Sequence, residues 1–249
     1  MKRVALITGA AGGIGNAALR VFAEADWHVI GVDRRGDCAL PTTAEFIQAD
    51  ISQPDTLENL LEQTAAWGRG LDALINNAAV QICKPLLDTT IEEWDTVMRE
   101  NVRSAFLLCK HAHPLLKRCG GAIVNVCSVH AVATSANIAA YAASKGAMLS
   151  LTRATALEFG RDGIRVNAVL PGAVDTPMLH AGLMRGHAGA GAVEDLVVQL
   201  GWKHVMGKVG RPEEIGEAIL FLADGKRSSF MTGQALVVDG GATARLSTE

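Results

Sequence analysis

The run Lys2-Arg-Val-Ala-Leu-Ile leads straight into Thr8-Gly-Ala-Ala-Gly-Gly-Ile-Gly, after which Ala18, Val21, Phe22 and Ala25 recur at helical spacing. An apolar run closed by glycines reads as a buried strand, and the i, i+3, i+4 pattern behind it reads as a helix with one face in a core. Strand, glycine turn and helix in direct succession leave few folds open. They form the opening unit of a parallel sheet that binds a phosphate-bearing ligand at the N-terminus of its first helix. Gly9 is assigned the tight turn, Gly13 the close approach of backbone to a pyrophosphate, and Gly15 the close packing of the helix.

The alternation continues to the C-terminus. Further strands are expected at His28-Val-Ile-Gly-Val, Glu45-Phe-Ile-Gln-Ala, Leu71-Asp-Ala-Leu-Ile, Ala122-Ile-Val-Asn-Val, Ile164-Arg-Val-Asn-Ala-Val and Gln234-Ala-Leu-Val-Val-Asp. Helices are expected over 54–67, 90–118 and 138–159, the last with Asn137 as N-cap and Gly160 as its stop, and another opens at Pro212 with Ile215, Ala218, Ile219 and Leu222 on one face. This order predicts an α/β fold, a single-domain Rossmann-like doubly wound parallel sheet flanked by helices over residues 1–249. With 249 residues and 49% apolar content the chain can bury a large core. Neither a repeat nor a linker divides it. Residues 177–210 alone run long without a strand signal, and long excursions from compact domains are usually lids or loops.

Several function classes are set aside by composition. A net charge of -3 provides no basic footprint for nucleic acid. Glycines interrupt the N-terminal apolar run from Gly9 and no long hydrophobic segment follows, so neither a signal peptide nor a membrane span is expected. The five cysteines, Cys38, Cys83, Cys109, Cys119 and Cys127, form no Cys-x-x-Cys pair. They read as free thiols of a cytoplasmic protein with no metal site. Cys127 adjoins Ser128, but neighbouring side chains on a strand point to opposite faces, and Cys127 reads as a buried bystander.

Tyr141 is the only tyrosine, and Lys145 follows it one helical turn later. Residues four apart share a helix face, so a phenol and an ammonium group project side by side. A fixed positive charge favours the phenolate and moves a group that ordinarily titrates near pH 10 toward use as a general base. Ser128, at the end of the fifth strand signal, brings a hydroxyl to the same cleft.

Beginning with Thr8, the glycine spacing is Gly-x-x-x-Gly-x-Gly. Together with Ser128, Tyr141 and Lys145, with Asp50, with Asn76-Asn-Ala-Ala, with Asn101, with Arg165-Val-Asn-Ala-Val and with Pro171-Gly-Ala-Val-Asp-Thr, it resembles the classical short-chain dehydrogenase/reductase family over nearly the whole chain. The resemblance implies an NAD(P)-dependent oxidoreductase acting on a secondary alcohol or ketone. Tyr141 would exchange the substrate's proton and Ser128 would hydrogen-bond the same oxygen. Lys145 would hold the nicotinamide ribose and lower the phenol pKa, and Asn101 would anchor a water linking Lys145 to solvent. Cofactor contacts are implied for Gly9, Gly13, Ile14 and Gly15, for Asp50 and Ile51 beside the adenine, and for Asn77 and Ala78 near the adenosine ribose. Further contacts come from Pro171, Gly172 and Val174, with Thr176 at the carboxamide. Asp33, about twenty residues past Gly13, is placed to accept the ribose hydroxyls, which favours NAD over NADP. Arg34 and Arg35 pull the other way.

In this family the segment after Pro177 covers the substrate, so 177–210 is expected to be a lid with Met178, Leu179, Leu183 and Met184 facing the pocket. Gln81 and His130 are the expected substrate contacts. They resemble the polar positions of the family's hydroxybutyrate dehydrogenases, although Ile138 stands where those carry a lysine. A sugar or polyol suits Gln81, His130 and Asn137 as well, and a 3-oxoacyl reductase is the alternative. The family resemblance also implies a homotetramer. A methyltransferase has no need of Tyr141 and Lys145, and non-catalytic dinucleotide-binding sensors of this architecture usually lack part of the set that is complete here.

Overall fold

The computed structural model describes residues 2–36, 44–184 and 191–244. Cys38 and residues 185–190 of the expected lid lie outside the described residues. The elements follow in the order β1 Val4–Thr8, α1 Gly13–Glu24, β2 His28–Asp33, β3 Ala44–Gln48, α2 Pro54–Ala65, β4 Ala73–Asn76, α3 Ile91–Met98, α4 Ser104–Cys119 and β5 Ala122–Val126. After these come α5 Ala139–Phe159, β6 Arg165–Pro171, α6 Pro177–Leu183, α7 Val193–Trp202, α8 Pro212–Ala223 and β7 Ala235–Val238. All seven strands are parallel, in the order β3-β2-β1-β4-β5-β6-β7.

Every residue of β1 is buried, as a central strand covered on both faces requires. Its side chains divide by parity. Ala5 and Ile7 pack with Leu19 and Phe22 of α1 and Ile215 and Ile219 of α8, whereas Val4 and Leu6 join Leu57 and Leu60 of α2 and Leu108 and Leu116 of α4 on the opposite face. The strand order reverses beside β1, between β2 on one side and β4 on the other, and such a switch opens a crevice at the carboxyl ends of the strands.

Two local expectations are corrected. The helix expected over 90–118 is two helices joined by a π-helical turn, Arg99–Arg103, with Asn101 buried inside it. Asn137 does not cap α5: it adopts a left-handed φ of 63°, and the N-cap position falls to Ile138, which offers no side-chain hydrogen bond. Gly160 does end the helix.

Arg165 at the start of β6 spends its guanidinium on the end of α8. Its Nη1 donates to Leu222 O at 2.8 Å and to Ser228 O and Oγ at 3.1 and 2.9 Å, and its Nη2 donates to Ala223 O at 3.0 Å. Arg165→Met keeps the apolar stem and strips four acceptors of a charged donor. It is expected to lower unfolding free energy by about 2–3 kcal/mol, read from urea denaturation at fixed protein concentration. An unchanged midpoint would mean that water replaces the guanidinium without loss.

Candidate active site

α5 is alanine-rich through its first turns, which favours helix and leaves room beside the sheet. It carries Tyr141 and Lys145 on its buried face, at 8% and 3% exposure, and Ser128 arrives from the end of β5 at 7%. Lys145 Nζ lies 5.4 Å from the Tyr141 ring centroid and donates to Val126 O at 2.8 Å, so the strand that delivers Ser128 also anchors the lysine. Burial pushes the Tyr141 phenol well above its ordinary range, and the hydrogen bond with Ser128 opposes that shift. Burial also lowers Lys145, to about 8. The sequence pattern pointed to a lysine that depresses the phenol. In the fold, desolvation dominates both groups, and the phenol stands protonated at neutral pH, equipped to give a proton.

Asn101 is held by three hydrogen bonds. Its Oδ1 accepts from Val80 N at 2.8 Å, and its Nδ2 donates to Val80 O at 2.9 Å and to Ser144 Oγ at 3.0 Å. The Ser144 hydroxyl donates in turn to Tyr141 O at 2.7 Å. Asn101 therefore ties the π turn to the loop after β4 and to the turn of α5 that bears Tyr141. Ser144, fully buried between Tyr141 and Lys145, escaped the sequence reading. A polar residue on the inward face of an otherwise apolar helix was the available signal.

Thr8 is a second brace that motif reading named without a role. Its hydroxyl donates to Ile75 O at 3.2 Å and accepts from Asn77 N at 3.0 Å and Ala78 N at 3.1 Å, which locks β1 to the end of β4. Asn77 Nδ2 completes the lock on Thr8 O and Gly9 O, at 2.9 and 3.2 Å. Gly9 has a φ of 67°, and a Cβ there would stand 2.8 Å from Ala78 Cα. At Gly15 a Cβ would come within 2.1 Å of Gly9 O. The obstacle at Gly13 is Thr176, whose Cγ2 lies 2.6 Å from where a Cβ would sit. At all three glycines a side chain would collide with neighbouring atoms.

These residues suit a dinucleotide. No side chain caps α1 and no acidic residue occupies its first turn, so an anion meets the helix N-terminus without competition. A narrow cleft beyond it is lined by Thr8, Ile51, Asn76, Ala78, Asn101 and Lys145, and the buried Asn76 Oδ1 lacks a hydrogen-bond partner. Asp33 Oδ2 accepts from Ala11 N in the glycine loop at 3.0 Å, and its Oδ1 accepts from Arg35 N at 3.0 Å. Burial raises the Asp50 carboxyl, but hydrogen bonds from Ser52 and the charge of Arg34 outweigh it and hold the group below its usual range. Gly172 N donates to Val238 O at 3.0 Å, and Val174 is buried and bridges to Gly210, which closes the base of the 177–210 excursion. Thr176 caps α6 by accepting from Leu179 N at 3.2 Å.

α6 runs from the glycine loop to Gln81: Thr176 abuts Gly13, and Gln81 Oε1 lies 3.9 Å from where a Cβ of Gly182 would sit. Of the four apolar residues expected to face the pocket, Leu183 is buried, Leu179 half-buried, and Met178 and Met184 exposed. His130 meets Tyr141 edge to face, ring centroids 5.9 Å apart, and its Nδ1 lies 2.9 Å from Thr134 Oγ1. Burial lowers its pKa, so it is neutral at physiological pH. Burial also pushes Cys127 up to about 11, a protonated thiol unsuited to attack. Among the described residues no cluster of His, Cys, Asp and Glu could hold a metal ion, and no helix is long and apolar enough to cross a membrane.

Residues 9–243 match the family described as enoyl-(acyl carrier protein) reductase. Across 98% of its length this chain is 36% identical to the cis-4-hydroxycyclohexanecarboxylate dehydrogenase of Sinomonas cyclohexanicum, covering 97% of that protein. The chain belongs to the short-chain dehydrogenase/reductase family. Solved members superpose closely on this dehydrogenase. The ligand-free aldohexose dehydrogenase of Thermoplasma acidophilum gives a TM-score of 0.91 at 29% identity, over 99% of this chain and 96% of that one. The 3-ketoacyl-(acyl-carrier-protein) reductase of Brucella melitensis, solved with NADH, gives 0.88 at 31%, over 97% and 98%.

Proposed function

We propose that this dehydrogenase uses NAD(H) in preference to NADP(H) to interconvert a secondary alcohol and its ketone, the substrate being a sugar, a polyol or a hydroxy acid. The carrying observation is the convergence of Ser128, Tyr141 and Lys145 in one buried cleft beside an uncapped glycine-loop helix. The nicotinamide, when bound, supplies the hydride chemistry. Tyr141 holds the proton that the substrate oxygen gains on reduction or gives up on oxidation, and Ser128 donates a hydrogen bond to the same oxygen as its charge develops. Lys145 holds the nicotinamide ribose. Asn101 fixes Val80 and Ser144, and through them the turn bearing Tyr141, and it supports the water path that returns protons to solvent.

Relatives acting on a hydroxycyclohexanecarboxylate, an aldohexose and a ketoacyl thioester carrier support the reaction class and span the substrate choices. A panel of secondary alcohols and ketones, run with each cofactor and followed by the absorbance of the reduced ring, tests the reading. Cofactor binding with no turnover on any of them would leave a dinucleotide-binding scaffold instead.

Gln81 and His130 contact the substrate in this reading, beneath a lid formed by 177–210. His130→Ala and Gln81→Ala should each lower kcat/KM for the best substrate roughly fivefold, about one hydrogen bond, with the dissociation constant for NADH unchanged. Unaltered kinetics in both variants would move the substrate elsewhere. We also infer a cytoplasmic homotetramer built from a single domain. Supporting this are exposed apolar side chains on the two long helices and the edge strand: Phe106 on α4, Leu157 on α5 and Val237 on β7, together with Phe230 before it.

A further inference from the structure

The adenosine end of the cleft carries more charge than its expected role requires. Asp33 and Asp50 stand at the ends of β2 and β3, with Arg34, Arg35, Arg99 and Glu100 around them. Arg35 is turned onto Asp33, Nε to Oδ1 at 3.6 Å. Arg34, the one arginine adjoining Asp33 that does not pair with it, reaches across to the π turn and meets Glu100 Oε2 at 3.8 Å, while Arg99 Nε holds Glu100 Oε1 at 3.2 Å. The Glu100 side chain is only 14% exposed and Arg34 is 60% exposed. A carboxylate so sheltered is poorly screened, while the guanidinium remains largely in solvent. The position of Glu100 is fixed by the fold: its own carbonyl accepts from the Ser104 hydroxyl, and Asn101 next to it is pinned to Val80 and Ser144.

A phosphate on the 2′ oxygen of a ribose held by Asp33 would have Arg34 as the adjacent cation, and guanidinium forks are the strongest side-chain partners a phosphate finds. We propose that Glu100 is a determinant of cofactor specificity: by engaging Arg34 from the π turn it withholds that guanidinium from a 2′-phosphate. The inference deepens the NAD preference proposed above and rests on it. Its consequence is that discrimination is shared between a residue that touches the ribose and one, on a different element, that acts through Arg34.

Direct binding tests it without turnover. Calorimetric titration of the purified protein with NADP+ and with NAD+ should show Glu100→Gln binding NADP+ about tenfold more tightly than the wild type, the gain of one charge-assisted contact, with NAD+ affinity changed less than twofold. Arg34→Ala should alter NADP+ affinity less than twofold in the wild type, where the guanidinium is already engaged, and should abolish the tenfold gain in the Glu100→Gln background. Glu100→Ala, with thermal melts of all variants, guards against a folding defect. An NADP+ dissociation constant that does not move in Glu100→Gln or Glu100→Ala, or a gain that survives loss of Arg34, overturns the proposal. Equal wild-type affinities for the two dinucleotides would instead sink the NAD preference, while the coupling between Glu100 and Arg34 would still be read from the same four proteins.

Discussion

Tyr141→Phe is expected to lower turnover by a factor of about 10² to 10⁴, the usual contribution of a general acid or base, and to leave dinucleotide binding intact. The ring is what the surroundings hold. It lies under Lys145, whose Nζ is 5.4 Å from its centroid, and against the edge of His130 at 5.9 Å, and phenylalanine keeps both contacts. What the variant loses is the hydroxyl that shares a hydrogen bond with Ser128 and carries the proton. Because that phenol is protonated at neutral pH, and burial shifts it further that way, the loss falls directly on ketone reduction, where the substrate oxygen must be given a proton. Rapid-mixing measurements of the chemical step, with NADH affinity measured separately, decide the matter. A variant that retains more than a tenth of the wild-type rate, under conditions where chemistry limits it, would remove Tyr141 from the role.

The second large effect expected is in cofactor choice: kcat/KM should be about a hundredfold higher for NAD+ than for NADP+. Asp33 is nearly buried at its side chain and is fixed by the backbone N–H groups of Ala11 and Arg35. It cannot swing away from a phosphate placed against it. A unit charge about 5 Å from that carboxylate, at an effective dielectric near 20, is repelled by roughly 3 kcal/mol, which corresponds to two orders of magnitude in affinity. Asp33→Ser should close most of that gap. Equal catalytic efficiency of the wild type with both cofactors would defeat the assignment.

The strands and the catalytic pair were legible because their signals are local. β2 was expected from His28 and runs His28–Asp33, and α5 was expected over 138–159 and spans Ala139–Phe159. The pair Tyr141 and Lys145 needed only the helical repeat to fall on one face. The π turn was not legible. No glycine or proline marks Arg99–Arg103, and the apolar spacing runs through it, because the extra residue is accommodated by tertiary partners of Asn101 that lie far along the chain. Asn137 failed as a cap for a related reason: its composition suits an N-cap, but its backbone is left-handed where the loop meets α5.

The order of elements, the parallel sheet, the glycine loop and the shared helix face of Tyr141 and Lys145 follow from the amino-acid sequence alone, since each depends on periodicity, on a missing side chain or on spacing within one element. The electrostatic state of the site does not. Whether Lys145 lowers the Tyr141 pKa or burial raises it depends on how completely the fold removes water from both, and here burial dominates. Whether Arg34 opposes Asp33 or is already engaged depends on the position of Glu100, which the π turn sets, whereas Arg35 pairs with Asp33 itself. Spacing determines which groups share a face. Only the packed structure determines their dielectric surroundings and their distant partners, because both are properties of atoms brought together from separate parts of the chain.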